Sequence, residues 1–465
     1  AKRPADFPAT PPAGKLSSDF TLAAHENKKL ANGLEVVCVP NRELPLVDLN
    51  LEIRSGSWTE TKPGAASAAM NLMTKATRSR DVKAMAETLE FNAIHLGASS
   101  DMDTAEVSMS AMLPQLELGT SILRDVIENP TFPADEFDIQ EKQTKMGLMV
   151  SSRQPEYVAE REFRRRLYGT HPYARTPTGE LGDLDKLKID DLRAWWSANV
   201  RPENAVLYIS GDIDPKQAFA LAEKHFGDWK VAGEFVAPKL PNVDTGGPTH
   251  IFLVDRPGSV QSQIRVGHLG VTRRDEIYPA TKVLSNILGG GFNSRLNKAI
   301  RVEKGLTYGA RGGFTPRRFV GEFEMSTFTK TPKTADTLRT LLAEVEKIRS
   351  GEPTEMEISD TKTYLQGAMA REQETASQVV SKLWMIETEG LPADYFSQYM
   401  GKIRSASAAD ILSAAKKLID PAKLAIIVVG ESKAIKADLE KIAPVTVVNQ
   451  TTTMPAEPAG ESGEN

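Results

Sequence analysis

Apolar and polar residues alternate along Asp48-Leu49-Asn50-Leu51-Glu52-Ile53, which predicts a half-buried strand over 48–54. Further strands are predicted over 34–40, 205–210, 251–255, 261–268 and 424–429, and near 105–112 and 321–327. Helices are predicted over 64–76, 116–128, 136–151, 189–198 and 215–226, and again over 277–288, 335–350, 355–374, 408–418 and 433–442. The second series repeats the first at a lag near 220. Asp191, Pro202 and Gly211 match Asp410, Pro421 and Gly430, with 11 residues from Asp to Pro and 20 from Asp to Gly in both halves. Each copy runs helix, proline turn, strand, helix around those residues.

The repeat predicts an α+β protein of two homologous domains in tandem, each a mixed β-sheet with helices packed on it. An extended, proline-bearing arm occupies 1–24, the first domain 25–230 and the second 249–445. The stretch 231–248 between them holds three Pro and three Gly without a period and reads as a linker. Residues 446–465, rich in Thr, Pro, Ala, Gly and Glu, read as a disordered tail.

Composition narrows the function classes. The chain has 465 residues, 40% hydrophobic and 26% charged, which suits ordinary globular cores. Its net charge of −5 supplies no basic field for nucleic acid. No apolar run approaches the roughly 18 residues of a membrane span. The single cysteine, Cys38, excludes an intrachain disulfide and a CxxC metal knuckle. Of six histidines the closest two, His250 and His268, are 18 residues apart, so no helix turn presents two imidazoles to one metal ion. Ala1 at the start, followed by prolines 4, 8, 11 and 12, fits removal of a signal peptide, and equally a trimmed chain or excision of Met. The expectation is a periplasmic location, with a cytoplasmic one as the alternative.

The most specific stretch is Ser294-Arg295-Leu296 followed by Arg301-Val302-Glu303-Lys304-Gly305-Leu306-Thr307-Tyr308, supported by Pro-Gly-Ser-Val-Gln-Ser at 257–262. With two domains of one plan, it resembles the pitrilysin-type metallopeptidases, the inverzincins. That family includes insulysin, the mitochondrial processing peptidase and the core subunits of the respiratory bc1 complex. The resemblance covers roughly 25–445 and is nearest to a subunit of the two-domain bacterial group that lacks the zinc motif and keeps an Arg/Tyr pair.

Active members carry H-x-x-E-H on a first-domain helix, two His and a distant Glu binding zinc and the motif's Glu acting as general base. Aligned from Gly64, those positions are Ser67, Met70 and Asn71, and counting back from Pro155 the distal glutamate falls near Gly147. All four functional groups are missing. The family's other half-site, an Arg and a Tyr that hydrogen-bond substrate backbone across a cavity, matches Arg301 and Tyr308. The local pattern reads as a helix end over 297–303, a turn at Lys304-Gly305 and a strand start over 306–309.

The resemblance therefore implies a non-catalytic, substrate-binding subunit of a heteromeric zinc metalloendopeptidase, inactive alone. This chain would bind no cofactor. Zinc and general base would sit on a homologous partner subunit with H-x-x-E-H, in a heterodimer or larger assembly, and the substrate would be a peptide or unfolded polypeptide. The alternative is a proteolytically inactive scaffold like the bc1 core subunits.

Other features have plainer readings. Gly289-Gly290-Gly291 ends a helix and gives a flexible connection, since no Walker or G-x-G-x-x-G context surrounds it. The segment 97–112 supplies an edge strand, able to take up an extended peptide or to bind nothing. Arg161–Arg166 reads as a solvated helix face or a subunit contact, and Arg317-Arg318 as exposed charge rather than a receptor for acidic substrate groups.

Overall fold

The computed structural model describes residues 20–243 and 246–449. Most of the arm and most of the tail lie outside the described residues. The first sheet contains β1 (Glu26–Lys29), β2 (Glu35–Pro40), β3 (Leu46–Ile53), β4 (His95–Ser100), β5 (Ala105–Met112) and β6 (Ala205–Gly211), in the order β1-β2-β6-β3-β5-β4. The second contains β7 (His250–Asp255), β8 (Gln261–Leu269), β9 (Ala310–Thr315), β10 (Glu322–Lys330), β11 (Ala425–Gly430) and β12 (Val445–Val448), in the order β12-β7-β11-β8-β10-β9. Both sheets are mixed. β2 runs parallel to β6 and β7 parallel to β11, while β3 and β8 pair antiparallel with those same strands. The duplication read from the sequence is thus repeated in five strands of each sheet, and the sixth differs, β1 lying antiparallel to β2 and β12 parallel to β7.

β6 and β11 do not alternate: nearly every residue of each is buried. A strand reads that way only when both faces of its sheet are covered. One face is covered by helices of the same domain. The other is covered by a helix from the opposite domain, an exchange made in both directions. Pro155–Tyr168 of the first domain lies on β8 and β11, packing Val158, Ala159, Phe163 and Leu167 against Ile427 and Val429. Ala376–Glu389 of the second lies on β2 and β6, packing Val379, Val380 and Trp384 against Val39, Val206 and Tyr208.

This exchange corrects two readings of charge. The arginines at 161–166 ride on the exchanged helix and are partly neutralised there. Arg164 pairs with Glu160 at 2.8 Å and Arg166 with Glu162 at 2.5 Å, both one helical turn apart, and Arg165 pairs with Glu180. The Arg166 guanidinium also lies 4.2 Å from the centre of the Phe252 ring, a contact with the second domain. Arg317 and Arg318 are mostly covered rather than exposed. Arg317 forks onto the buried Glu322 at 3.1 and 2.7 Å. Arg318 donates to the Arg54 carbonyl at 2.7 Å and lies over the Trp58 ring, joining the two domains.

Boundaries shift at several places. β12 continues the second sheet past residue 445, where composition alone suggested a tail. Phe20 and Leu22 of the arm pack against the second domain's core, Phe20 lying 6.0 Å from Phe396 between ring centres. β5 is interior, paired with both β3 and β4, so β4 is the edge strand. Among the described residues no helix is long and apolar enough to cross a membrane.

Candidate functional site

The helix Ala65–Met73 starts after Gly64, whose φ of 90° is left-handed and favours glycine. Its first amides are satisfied by Glu60, buried just upstream, which accepts from the N–H groups of Gly64 at 3.1 Å and Ala66 at 3.0 Å. Burial pushes the Glu60 carboxyl up to about 7, against the opposing pull of the Ala66 N–H, the Arg175 charge and the Gly64 N–H. Nothing in the local sequence pattern marks Glu60. Its role emerges only when the helix start is placed.

On this helix Ser67 is half-buried, Met70 is packed into the first-domain core, and Asn71 is exposed. Asn71 donates its amide to the Ser67 carbonyl at 2.8 Å, a bond within its own helix. Gly147 lies on the neighbouring helix Ala134–Ser152, and a Cβ there would meet nothing within 4 Å. A small crevice between the two helices is lined by Ser67, Gln140, Glu141 and Thr144. Its one carboxylate, Glu141, is paired with Lys145 at 2.5 Å. These residues do not fit zinc: a hydroxyl, a thioether sunk in the core, a carboxamide bonded to the Ser67 carbonyl one turn back and a glycine are no substitute for two imidazoles and a carboxylate. Among the described residues no group of three His, Cys, Asp or Glu side chains is placed to hold a metal ion.

The second domain is built differently at the matching place. Its helix Tyr278–Ser285 widens into the π-helical turn Asn286–Gly290, and a second π-helical segment spans Asn297–Glu303. Such wide turns often mark functional sites. Gly289 packs its backbone against Gly312 of β9, where a Cβ would come within 2.2 Å of the Gly312 nitrogen. The first glycine of the triplet is therefore a tight packing contact, where a flexible connection was expected. Gly289→Ala is expected to destabilise the domain by about 1–3 kcal/mol through overpacking, read as a lowered denaturant midpoint. Alanine at Gly291, which is not so packed, serves as the control and should leave the midpoint near wild type.

Arg301 lies on the segment Asn297–Glu303 with its guanidinium 4.9 Å from the centre of the Phe292 ring. Its carbonyl accepts from the Gly305 N–H at 3.2 Å and the Ile300 carbonyl from the Leu306 N–H at 2.9 Å. Gly305, at φ 59°, makes the left-handed turn that ends the helical segment. Tyr308 follows on an irregular loop, because β9 begins only at Ala310. Tyr308 is 82% exposed, and Phe292 and Val302 are also exposed beside Arg301, at 68% and 67%. Phe292 follows the glycine triplet directly. The structure makes it the ring against which Arg301 rests.

The four positions aligned with the zinc motif therefore lie on two adjacent first-domain helices, while Arg301 lies on the second domain's helical segment Asn297–Glu303 and Tyr308 on the loop that follows it. Residues 36–179 match the family described as insulinase (peptidase family M16), and residues 186–365 match the peptidase M16 inactive domain. The chain belongs to the M16 peptidase family, as a tandem of two M16 domains that lacks the zinc motif.

A non-peptidase homolog, YmxG, from Helicobacter pylori is 21% identical over 382 residues, 81% of this chain and 87% of that one. The zinc protease PqqE of the same organism is 24% identical over 390 residues, 81% of this chain and 84% of that one. The crystal structure of a peptidase M16 inactive domain from Pseudomonas fluorescens superposes with a TM-score of 0.78 at 26% identity, covering 87% of this chain and 98% of that one.

Proposed function

We propose that this chain is the non-catalytic, substrate-holding subunit of a two-chain M16 peptidase, with the zinc and general base on a homologous companion. The observation that carries the reading is chemical asymmetry. The zinc side has lost every functional group, while Arg301 lies near the end of a helical segment and an 82%-exposed Tyr308 stands seven residues on, in the loop that follows. The guanidinium offers a planar fork of donors and the phenol one O–H donor, a set suited to a peptide carbonyl or the oxyanion that develops from it. That Helicobacter pylori has one relative named a non-peptidase and another named a zinc protease is what a division of labour between two chains would leave.

The test is peptide cleavage by this chain mixed with its zinc-motif companion, and by each alone. Cleavage is expected only from the mixture. Removing one preorganised donor typically costs about 2.7–4 kcal/mol in the transition state, so Tyr308→Phe and Arg301→Ala should each lower kcat about 100-fold or more. Co-elution of the two chains should be unchanged. A companion fully active alone, or substitutions without effect, would return the chain to the scaffold reading.

A further inference from the structure

Tyr308 stands out into solvent, yet the backbone that carries it is held on both sides. The last residue of β9 paired to β10 is Ala310, opposite Thr327, whereas β10 runs on to Lys330. Residues 306–309 therefore lie along β10 with no backbone ladder, and side chains take its place. The Thr327 hydroxyl donates to the Gly309 carbonyl at 2.9 Å and lies 3.1 Å from the Thr307 hydroxyl. Thr329 donates to the Leu306 carbonyl at 2.7 Å, and the Thr307 oxygen accepts from the Gly309 N–H at 3.2 Å. From the opposite side, Asn297 accepts from the Ala310 N–H at 3.0 Å. Leu306, Gly309 and Ala310 are pinned, and between them the Tyr308 side chain projects outward, its ring centre 6.5 Å from that of Phe328.

The duplicated domain provides an internal control. The core-facing row of β10 is Phe323, Met325, Thr327 and Thr329, with Thr327 4% and Thr329 2% exposed. The matching row of β5 is Ala105, Val107, Met109 and Ala111, all buried, in the same place beside β3 that β10 occupies beside β8. An apolar row is what a core strand ordinarily takes, because a buried hydroxyl costs about 1–3 kcal/mol unless it is hydrogen-bonded. The row turns to hydroxyls in the domain that bears Arg301 and Tyr308, at the point where the neighbouring strand ends.

We propose that Thr327 is a positioning residue for Tyr308, its hydroxyl fixing, through Gly309 and Thr307, the loop that aims the phenol at substrate. The inference rests on the substrate-holding role of Tyr308 proposed above. Four forms, each mixed with the companion, test it: Thr327→Val, Thr327→Ser, Tyr308→Phe and the double Thr327→Val/Tyr308→Phe. Valine keeps the shape and loses the hydrogen bonds. Thr327→Val should lower kcat about tenfold, with KM within about twofold, since small misplacements of a reacting group cost one to two orders of magnitude. Thr327→Ser should stay within about twofold of wild type, and the double form should be no slower than Tyr308→Phe alone.

Amide exchange at Gly309 and Ala310 should quicken in the valine form and not in the serine form. The proposal is overturned if valine leaves kcat unchanged, if serine is as slow as valine, or if the two losses multiply in the double form. Should Thr327→Val not fold, Thr307→Ala breaks the same relay from the loop side and is read by the same criteria. If Tyr308→Phe itself leaves turnover intact, the fault lies with the role given to Tyr308. If it slows turnover and Thr327→Val does not, the fault lies with the positioning alone.

Discussion

Arg317→Met is expected to destabilise the protein by about 3–5 kcal/mol at pH 7, the usual cost of stripping one partner from a buried ion pair. Glu322 is almost wholly enclosed at the domain seam, where it accepts two hydrogen bonds from Arg317, at 3.1 and 2.7 Å, and one from Tyr168 on the exchanged helix. Burial alone would raise its carboxyl, but the hydrogen bonds and charge of Arg317 outweigh it and hold the group below its ordinary value. In the wild type this contribution is complete above the unfolded carboxyl's pKa near 4.5 and is lost as pH falls through the lower folded value.

Without Arg317 the sign reverses. Burial then dominates, the folded carboxyl rises, and the variant should regain stability as pH falls from 7 towards 5. The measurement is denaturant unfolding of both forms at pH 7 and pH 5. The double change Arg317→Met/Glu322→Gln should sit close to wild type at both, since it leaves no buried charge without a partner. A deficit that is the same at both pH values would mean that the pair contributes packing rather than charge compensation.

That seam also shows where the sequence stops being readable. The two-domain plan was legible because Asp191, Pro202 and Gly211 recur as Asp410, Pro421 and Gly430, at ends of elements whose periods are strong. The exchange of helices was not legible, since a period says that a helix has an apolar face and nothing about whose sheet that face will meet. The arginines of Pro155–Tyr168 therefore read as a solvated face or a subunit contact, whereas Arg166 meets Phe252 of the other domain of the same chain. β1 went unread for a local reason: all four of its side chains, Glu26 to Lys29, are exposed, so there is no alternation to detect.

At the candidate site, Ser67, Met70, Asn71 and Gly147 were reached only by aligning the chain with the family's motif. The π-helical turns were not legible, because π and α periods differ too little over seven residues. Nor was the pinning of Tyr308, which comes from Thr327 and Thr329, about 20 residues further along the chain.

Glu52→Gln is expected to do the opposite of Arg317→Met, stabilising the protein by about 3 kcal/mol at pH 8 while changing little at pH 4. Glu52 lies on β3, directly opposite Glu106 on β5 and beside Val206 on β6, and is 8% exposed. The exchanged helix Ala376–Glu389 covers β2 and β6 on this face, but the rows opposite each other on β3 and β5 remain polar: Asp48 with Ser110, Asn50 with Ser108, Glu52 with Glu106. Burial, followed by the charges of Glu106 and Asp101, pushes the Glu52 carboxyl up to about 9.

Across neutral pH the folded chain thus keeps a proton that the unfolded chain has released above about 4.5. Each pH unit between those values withdraws up to about 1.4 kcal/mol of stability. Over the interval to pH 8 this amounts to at most about 5 kcal/mol, and relaxation of the fold around the charge brings the expected value to about 3. A neutral amide of the same shape removes the proton requirement altogether.

Unfolding midpoints followed from pH 4 to 9 should fall steadily above pH 5 in the wild type and much less steeply in Glu52→Gln. The residual slope belongs to the other carboxyls that burial raises, Glu106 opposite and Glu60 before the helix Ala65–Met73 among them. Parallel slopes in the two proteins would show that Glu52 is ionised in the fold, with water or a cation reaching the sheet face between the domains.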